Sequence, residues 1–360
     1  MIYLVDLESV ESRYTSEWKN HFPKVLKEKT NQDVSVISGT EITATTTKGA
    51  FLNFGATNIY KADQVREMGN LFYEEKITEQ DHFVFADAWH PGIINLRYMA
   101  DLLNIPIKIH ALWHAGSYDP HDFLGRTIPD FISAKKYVPW IRHVEKGLFE
   151  AIDYNYFASD FHIDMFLENL LDVEERIGRI RYMRTGKITK SGWPMEYVGS
   201  TLKKEKKQDI ILFPHRLAPE KQPDIFKDLQ NEMPEYEFIL CQEQNLQKHE
   251  YHDLLSKAKM VFSANLQETL GISCFEILAT GGMPLVPNRL SYTEMYRPAF
   301  KYPTEWTESY ESYLENKDKL ITRIKNMMKY YNQYNLEIEK NFESLQKNYF
   351  SCDKICDNLK

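Results

Sequence analysis

Short apolar runs alternate with longer stretches of helical periodicity along almost the whole chain, and this alternation constrains the fold more than any other feature. Strands of a parallel sheet are covered on both faces and read as near-continuous apolar runs, and joining two of them takes a crossover of a dozen or more residues, usually a helix. In the first half the expected strands are 2–6, 34–38, 82–86, 107–112 and 154–158, with helical patterns over 15–29, 62–71, 93–103, 137–151 and 160–171. In the second half 210–214, 237–241, 260–264 and 283–287 read as strands and 223–231, 249–257 and 273–280 as helices. A long polar pattern over 311–347 reads as closing helix. The pattern predicts an α/β chain with two Rossmann-like parallel sheets, and 360 residues are enough to give each its own core.

The boundary between the halves is visible as chemistry. Gly192-Trp193-Pro194-Met195 interrupts regular structure, and Lys203-Lys204-Glu205-Lys206-Lys207 is a run that no buried element carries. A linker near 195–208 therefore separates an expected domain 1–195 from a second domain 196–340, followed by a helical tail 341–360. Open α/β sheets bind ligands at the C-terminal ends of their strands, so a cleft between two such edges is the expected site.

Composition narrows the function classes. The chain is 43% hydrophobic and 27% charged, as a soluble globular protein is, and its net charge of -8 gives no overall attraction to nucleic acid or anionic membrane. A polyanionic partner needs a local basic patch. The opening MIYLVDLESV lacks the basic start and long apolar core of a secretory signal, and no apolar run approaches the roughly eighteen residues of a membrane span. Cys241 and Cys274 sit in apolar settings, and Cys352 and Cys356 sit in a polar tail. All four are expected as reduced thiols of a cytoplasmic protein, with zinc ligation as the alternative.

The segment from Gln267 to Glu276 carries the chemistry. It follows an expected strand and opens a helix whose apolar face includes Phe275, Ile277 and Leu278. Gly271 permits a tight turn and close backbone approach, and the amides after it are helix-N-terminal donors suited to a diphosphate. Glu268 precedes the turn and Glu276 lies one to two helical turns beyond it, so the two carboxylates can bracket a ligand. The helix then runs through Gly281-Gly282 into the apolar Met283-Pro284-Leu285-Val286-Pro287.

Glu268, seven residues, Glu276, a helix, a Gly pair and an apolar-Pro strand together resemble the E-x7-E region of retaining GT-B glycosyltransferases, especially the glycogen-synthase-like and sucrose-synthase-like family. Ile211-Leu212-Phe213-Pro214-His215-Arg216-Leu217-Ala218-Pro219-Glu220-Lys221 resembles that family's strand, basic residue and Glu-Lys loop, and Glu235–Cys241 its next strand. The resemblance covers about 190–300 well and the first half in outline. It implies a GT-B fold and retaining transfer of a sugar from a nucleoside diphosphate, uridine by default, without metal or cofactor. It further implies that Arg216, Lys221 and the amides of Gly271 and Ile272 hold the diphosphate, with Thr269 and Leu270 in the same turn. Glu268 is then near the sugar, Glu276 near the ribose hydroxyls and the backbone at Cys241 near the base. His114, just after a first-half strand, matches a histidine that relatives place near the transferring sugar. Arg216, Lys221, Glu268 and His114 are the expected catalytic set.

The acceptor side departs from the family. The turn after the first strand, Asp6-Leu7-Glu8-Ser9-Val10-Glu11, lacks the family's glycines. Asp6 and Glu8 either bind acceptor hydroxyls or cap the next helix, and Asp87 either contacts acceptor or caps the helix after it. The stripe Arg176-Ile177-Gly178-Arg179-Ile180-Arg181-Tyr182-Met183-Arg184-Thr185-Gly186-Lys187-Ile188-Thr189-Lys190 holds cations and no acid. With Arg179, Arg181, Arg184 and Tyr182 it either tracks a phosphate backbone or is a basic face that balances acids elsewhere. The blocks Phe213–Lys221 and Leu290–Tyr296 resemble glycosyltransferases of T-even-like bacteriophages, which implies hydroxymethylated pyrimidines in duplex DNA as acceptor and the host cytoplasm as location. Two other readings stay open: transfer to a small molecule, glycan or lipid, and a sugar-nucleotide epimerase or non-catalytic binder.

Overall fold

The computed structural model describes residues 1–11, 13–45, 52–122, 125, 139–173 and 177–360. The chain forms two compact units, Met1–Pro194 with Ser351–Lys360, and Met195–Phe350. The final ten residues, expected in a C-terminal tail, thus pack with the first unit. No described helix is long and apolar enough to cross a membrane.

The first unit is built on a parallel sheet of β1 (Ile2–Val5), β2 (Val34–Ile37), β3 (His82–Phe85), β4 (Lys108–Trp113), β5 (Tyr154–Phe157) and β6 (Ile188–Lys190). Spatial order is β2-β1-β3-β4-β5-β6, with every pairing parallel. All four residues of β1 are buried, as a strand covered on both faces requires. The covering helices include Thr15–Thr30, Phe54–Tyr73, Gly92–Leu102, Pro139–Ala151 and Asp160–Asn169. Asn53 caps the second of these by accepting from the Ala56 amide at 3.0 Å, and Ser159 caps the last by accepting from His162 at 3.2 Å. β6 was not expected: it is three residues long, and its sequence lies inside the basic stripe.

The second unit carries β7 (Gln208–Phe213), β8 (Glu237–Leu240), β9 (Ala258–Phe262), β10 (Met283–Pro287) and the two-residue β11 (Lys301–Tyr302), in parallel order β11-β10-β9-β7-β8. Counting from each unit's first strand, both sheets follow the order 2-1-3-4-5, and the first adds a sixth strand. The expected closing helix is divided. Helices Tyr310–Lys329 and Asn335–Asn348 are separated by a 3-10 turn at Tyr331–Tyr334. The aromatic and asparagine residues there hold a helix less well than the Lys, Glu and Leu on either side.

Candidate functional site

In a sheet of this order the strand connections reverse direction between its first and third strands, and ligands bind beyond the C-terminal ends at that point. In the second unit the point lies between β7 and β9. The residues that follow β7 are Pro214, His215 and Arg216, and those that follow β9 run from Ser263 to Glu268.

A 3-10 turn, Pro219–Lys221, brings Lys221 back toward the loop after β9. Lys221 is only 5% exposed. Its Nζ donates to the backbone carbonyl of Gln267, to Gln267 Oε1 at 3.3 Å and to Glu268 Oε2 at 3.3 Å. Glu268 Oε1 accepts from the Thr269 amide at 3.1 Å and lies 3.4 Å from that of Leu270. Burial alone raises the Glu268 carboxyl, but the Lys221 ammonium and the amides of Leu270 and Gly271 outweigh it and hold the group below the usual carboxylate range. His215 is buried too, which pushes its imidazole down to about 3 and leaves it neutral at pH 7. One lysine and one ionised glutamate, the latter four residues before the helix Ile272–Ala279, make a small polar centre with fixed charges.

Gly271 makes the turn possible. Its φ is 72°, a conformation that side chains resist, and it serves as N-cap of the helix Ile272–Ala279, whose first amides have no intrahelical acceptor. A Cβ at this position lies 2.7 Å from Cε1 of Tyr292. Gly271→Ala is therefore expected to destabilise the second unit by about 2–4 kcal/mol, the sum of a left-handed penalty and an overpacking clash. Urea unfolding measures this, and an unchanged midpoint would mean that the turn has room to relax. The same helix is anchored at its other face, where Phe275 stacks on Phe350 with ring centroids 3.8 Å apart.

The other residues expected on the donor side are found in different states. Glu276 Oε2 accepts from the Tyr251 hydroxyl at 3.0 Å. Arg216 pairs with the buried Glu220 at 3.2 Å while its own side chain stays 30% exposed. Cys241 is buried at the end of β8, where the chain enters a 3-10 turn. Sequence reasoning missed four residues that build the site. His215 and Asn265 flank Glu268, Tyr292 lies under Gly271, and Arg289 donates to the carbonyls of Ala264 and Asn265, each at 2.7 Å. Only their positions just after strand ends signalled them.

In the first unit the reversal point lies between β1 and β3. His114 follows β4, and both its ring nitrogens are engaged. Nε2 donates to the Ala86 carbonyl at 2.6 Å, which leaves Nδ1 to accept from the Tyr14 hydroxyl at 2.9 Å. Trp193 packs on the ring with centroids 4.4 Å apart, and burial lowers the pKa of the imidazole. Asp6 is 7% exposed and accepts from Ser38 at 2.6 Å, Tyr60 at 2.5 Å and Gln64 at 3.1 Å. Glu8 accepts from Thr57 at 2.7 Å. Asp87 accepts from Lys61 at 3.1 Å and from the Trp89 amide at 3.0 Å, and Lys61 holds its carboxyl below the usual range against the opposing effect of burial. These three carboxylates are tied into the unit's own framework.

The basic stripe is not one face. Arg176 lies outside the described residues, and 177–184 form a helix rather than a strand and loop. Arg179 is neutralised by Asp160 and by Asp164, the latter at 2.5 Å, and Lys190 by Asp160 at 2.7 Å. Lys187 donates to the carbonyls of Glu150 and Ile152. Tyr182, expected as a stacking surface, packs against the core with its ring edge-on to Phe149. Arg181 and Arg184 remain exposed. All four cysteines are free and buried, including Cys352 and Cys356 of the tail expected to be polar, whose sulfurs lie 3.2 Å apart. Among the described residues no group of three or more His, Cys, Asp or Glu side chains is placed to hold a metal ion.

No protein-family model matches the chain, and no curated protein matches it by sequence. Solved structures do match. Sucrose-phosphate synthase from Thermosynechococcus elongatus is similar with a TM-score of 0.59 at 10% identity, covering 99% of this chain and 96% of the other. HepE of Anabaena, solved in complex with UDP and glucose, gives 0.56 at 12% identity over 99% and 98%. The pneumococcal O-GlcNAc transferase GtfA, in complex with UDP and GlcNAc, gives 0.52 at 12% identity, and there the match covers 83% of this chain but only 59% of GtfA. These likenesses show the fold: two parallel α/β sheets of the GT-B type.

Proposed function

We propose that the chain is a glycosyltransferase that moves a sugar from a nucleoside diphosphate, UDP in the first instance, to an acceptor hydroxyl with retention of anomeric configuration. The observation that carries this reading is the convergence of Lys221, Glu268 and the Gly271 turn at the reversal point of the second sheet. Support comes from structurally similar proteins that bind UDP with a sugar, HepE and GtfA, and from the similar sucrose-phosphate synthase.

The chemistry asks for charge stabilisation. The bond between C1 of the sugar and the β-phosphate oxygen breaks, and its electron pair leaves with the nucleoside diphosphate. A new bond forms between C1 and the acceptor oxygen, whose proton passes to an oxygen of the leaving phosphate. Lys221, Arg216 and the first amides of the helix Ile272–Ala279 stabilise the developing negative charge, so positive side chains and a helix terminus serve where other transferases use a metal. Glu268 faces the sugar with Thr269 and Leu270 beside it, Glu276 takes the ribose hydroxyls, and the backbone at Cys241 meets the base. His114 is assigned to the sugar by resemblance alone.

For the acceptor, a hydroxymethylated pyrimidine in duplex DNA is supported by the exposed Arg181 and Arg184 on one helix. The neutralised Arg179 and the packed Tyr182 favour the second reading, a small molecule, glycan or lipid. One screen tests both. Hydrolysis and transfer are followed for a panel of nucleotide sugars, with and without a chelator, alone and with unmodified or hydroxymethylated DNA. A UDP-sugar is expected to turn over in the presence of chelator. If DNA is the acceptor, transfer falls with salt, and Arg181→Ala with Arg184→Ala lowers the log-log salt slope by about 1 for each phosphate that is no longer neutralised. Transfer indifferent to both arginines excludes DNA, and a chain that binds no nucleotide sugar overturns the glycosyltransferase reading.

A further inference from the structure

Asn265 and Tyr292 come from different elements, and neither is exposed at all. Asn265 stands three residues before Glu268, and its Nδ2 donates to Glu268 Oε2 at 3.3 Å and to the Tyr292 hydroxyl at 3.1 Å. Tyr292 opens the short helix Tyr292–Met295, and its hydroxyl also bonds Ser263 Oγ at 3.2 Å. Its ring lies against Gly271, at the far side of the same turn. Tyr292 thus touches both ends of the segment that holds Glu268.

The surroundings keep this arrangement in one state. Arg289 clamps the backbone carbonyl of Asn265 at 2.7 Å, and it also donates to Thr304 and Thr307 carbonyls at 3.1 Å. Leu290 has φ 57°, a left-handed conformation that a branched side chain takes only when its surroundings impose it. That residue turns the chain from Arg289 into the Tyr292 helix. Beside Glu268 two buried polar atoms, Asn265 Oδ1 and His215 Nε2, have no hydrogen-bond partner among the described residues. An amide in such a place has two orientations. With Nδ2 toward the carboxylate it donates; reversed, it sets oxygen against oxygen. The Glu268 carboxylate, which can only accept, selects the first, and the Tyr292 hydroxyl accepts from the same amide nitrogen.

We propose that Asn265 and Tyr292 are positioning residues that hold the Glu268 carboxylate toward the sugar of the donor, so that the enzyme distinguishes a nucleotide sugar from the free nucleotide. This rests on the glycosyltransferase reading and on the sugar-facing role of Glu268. Lys221, Arg216 and the helix amides hold the diphosphate in either ligand. The Asn265–Tyr292 pair matters only when a sugar is attached.

The test compares UDP with UDP-glucose, UDP-galactose and UDP-N-acetylglucosamine by calorimetry on the full chain. Tyr292→Phe keeps the ring against Gly271 and removes only the hydroxyl; Asn265→Leu keeps the volume and removes the amide. Asn265→Leu, which loses a hydrogen bond to the charged Glu268, is expected to bind the preferred UDP-sugar about tenfold more weakly, and Tyr292→Phe, which loses hydrogen bonds to the neutral Asn265 and Ser263, about fivefold, while UDP affinity stays within about twofold in both. Equal weakening of UDP and UDP-sugar, or no weakening of either, overturns the proposal. If Asn265→Leu does not fold, Tyr292→Phe decides alone. Wild-type protein that binds none of the four and no other nucleotide sugar of the panel overturns the glycosyltransferase reading and this proposal with it, whereas wild-type binding with unaffected variants overturns the proposal only.

Discussion

Lys221→Met is expected to reduce sugar transfer by two to three orders of magnitude, the usual effect of removing one donor from a site where negative charge develops. The lysine is buried and makes all its described contacts with Gln267 and Glu268, so the methionine fills the same space and removes only the charge. The substitution leaves Glu268, whose side chain is 20% exposed, without its cation, which costs roughly 1–3 kcal/mol for a half-buried group that loses its partner. Stability therefore has to be measured beside activity. The pH dependence separates the two effects. In the wild type the Glu268 carboxyl is held below its unfolded value, so its contribution is present above that value and lost as the pH falls through the folded one. Without Lys221 the largest influence opposing burial is gone, so the folded value moves up toward or past the unfolded one and the wild-type slope is lost. A variant with near-normal transfer would remove Lys221 from the donor site, and one with the wild-type slope would mean that Lys221 does not hold the Glu268 carboxyl down.

The second large effect is acid instability of the first unit. His90, His110 and His162 are at most 2% exposed. Burial pushes His90 and His162 down to about 3 and His110 well below its ordinary value. His90 shows why. Its Nδ1 accepts from the Gly92 amide at 2.9 Å while Nε2 faces Gln64 Oε1 at 2.9 Å, so an added proton on Nδ1 meets an N–H. These groups bind protons in the unfolded chain near pH 6.5 and not in the folded one. Stability is intact above that pH and falls as the pH drops from there toward 3. Between pH 7 and 5.5 each histidine removes about 1.3 kcal/mol, or roughly 4 kcal/mol for three, out of the 5–15 kcal/mol typical of a domain. Asp6 and Glu145, whose carboxyls burial raises, act in the opposite direction over the lower part of this window. The second unit has one such histidine, His215, so the first is expected to unfold at the higher pH. Chemical denaturation followed at several pH values resolves the two transitions. His162→Gln, which removes one titrating ring, flattens the first and leaves the second unchanged; a first transition that is insensitive to pH between 7 and 5.5 contradicts the assignment.

How much of this was legible depended on range. Strands such as Ile2–Val5 and Met283–Pro287 show in sequence because burial on both faces leaves an unbroken apolar run. β6 and β11 do not, since three and two residues are too few for a period. In the site, the Gly271 turn and Glu268 are local to one segment and were visible together. The Lys221–Glu268 pair spans 47 positions and was reached only through resemblance. Tyr292 and Arg289 act across 27 and 24 positions on Asn265, and nothing local to either names that partner. The basic stripe stayed open between two readings because charge in sequence says nothing of its partners: Asp160 and Asp164, which neutralise Arg179, belong to a different helix.

The first unit is closed by residues that the chain reaches only after building the second. Ile355, Cys356 and Leu359 are buried in it, Asn358 bonds Tyr156 at 3.2 Å, and Lys29 pairs with Asp353 at 2.6 Å. During synthesis the order of completion is thus inverted. The half that emerges first waits with an open seam along its Thr15–Thr30 helix and β5, while the later half, continuous in sequence, has every residue it needs to fold. A nascent chain of this kind leaves that apolar seam uncovered for as long as translation of the remainder takes, which is the interval in which chaperones meet it.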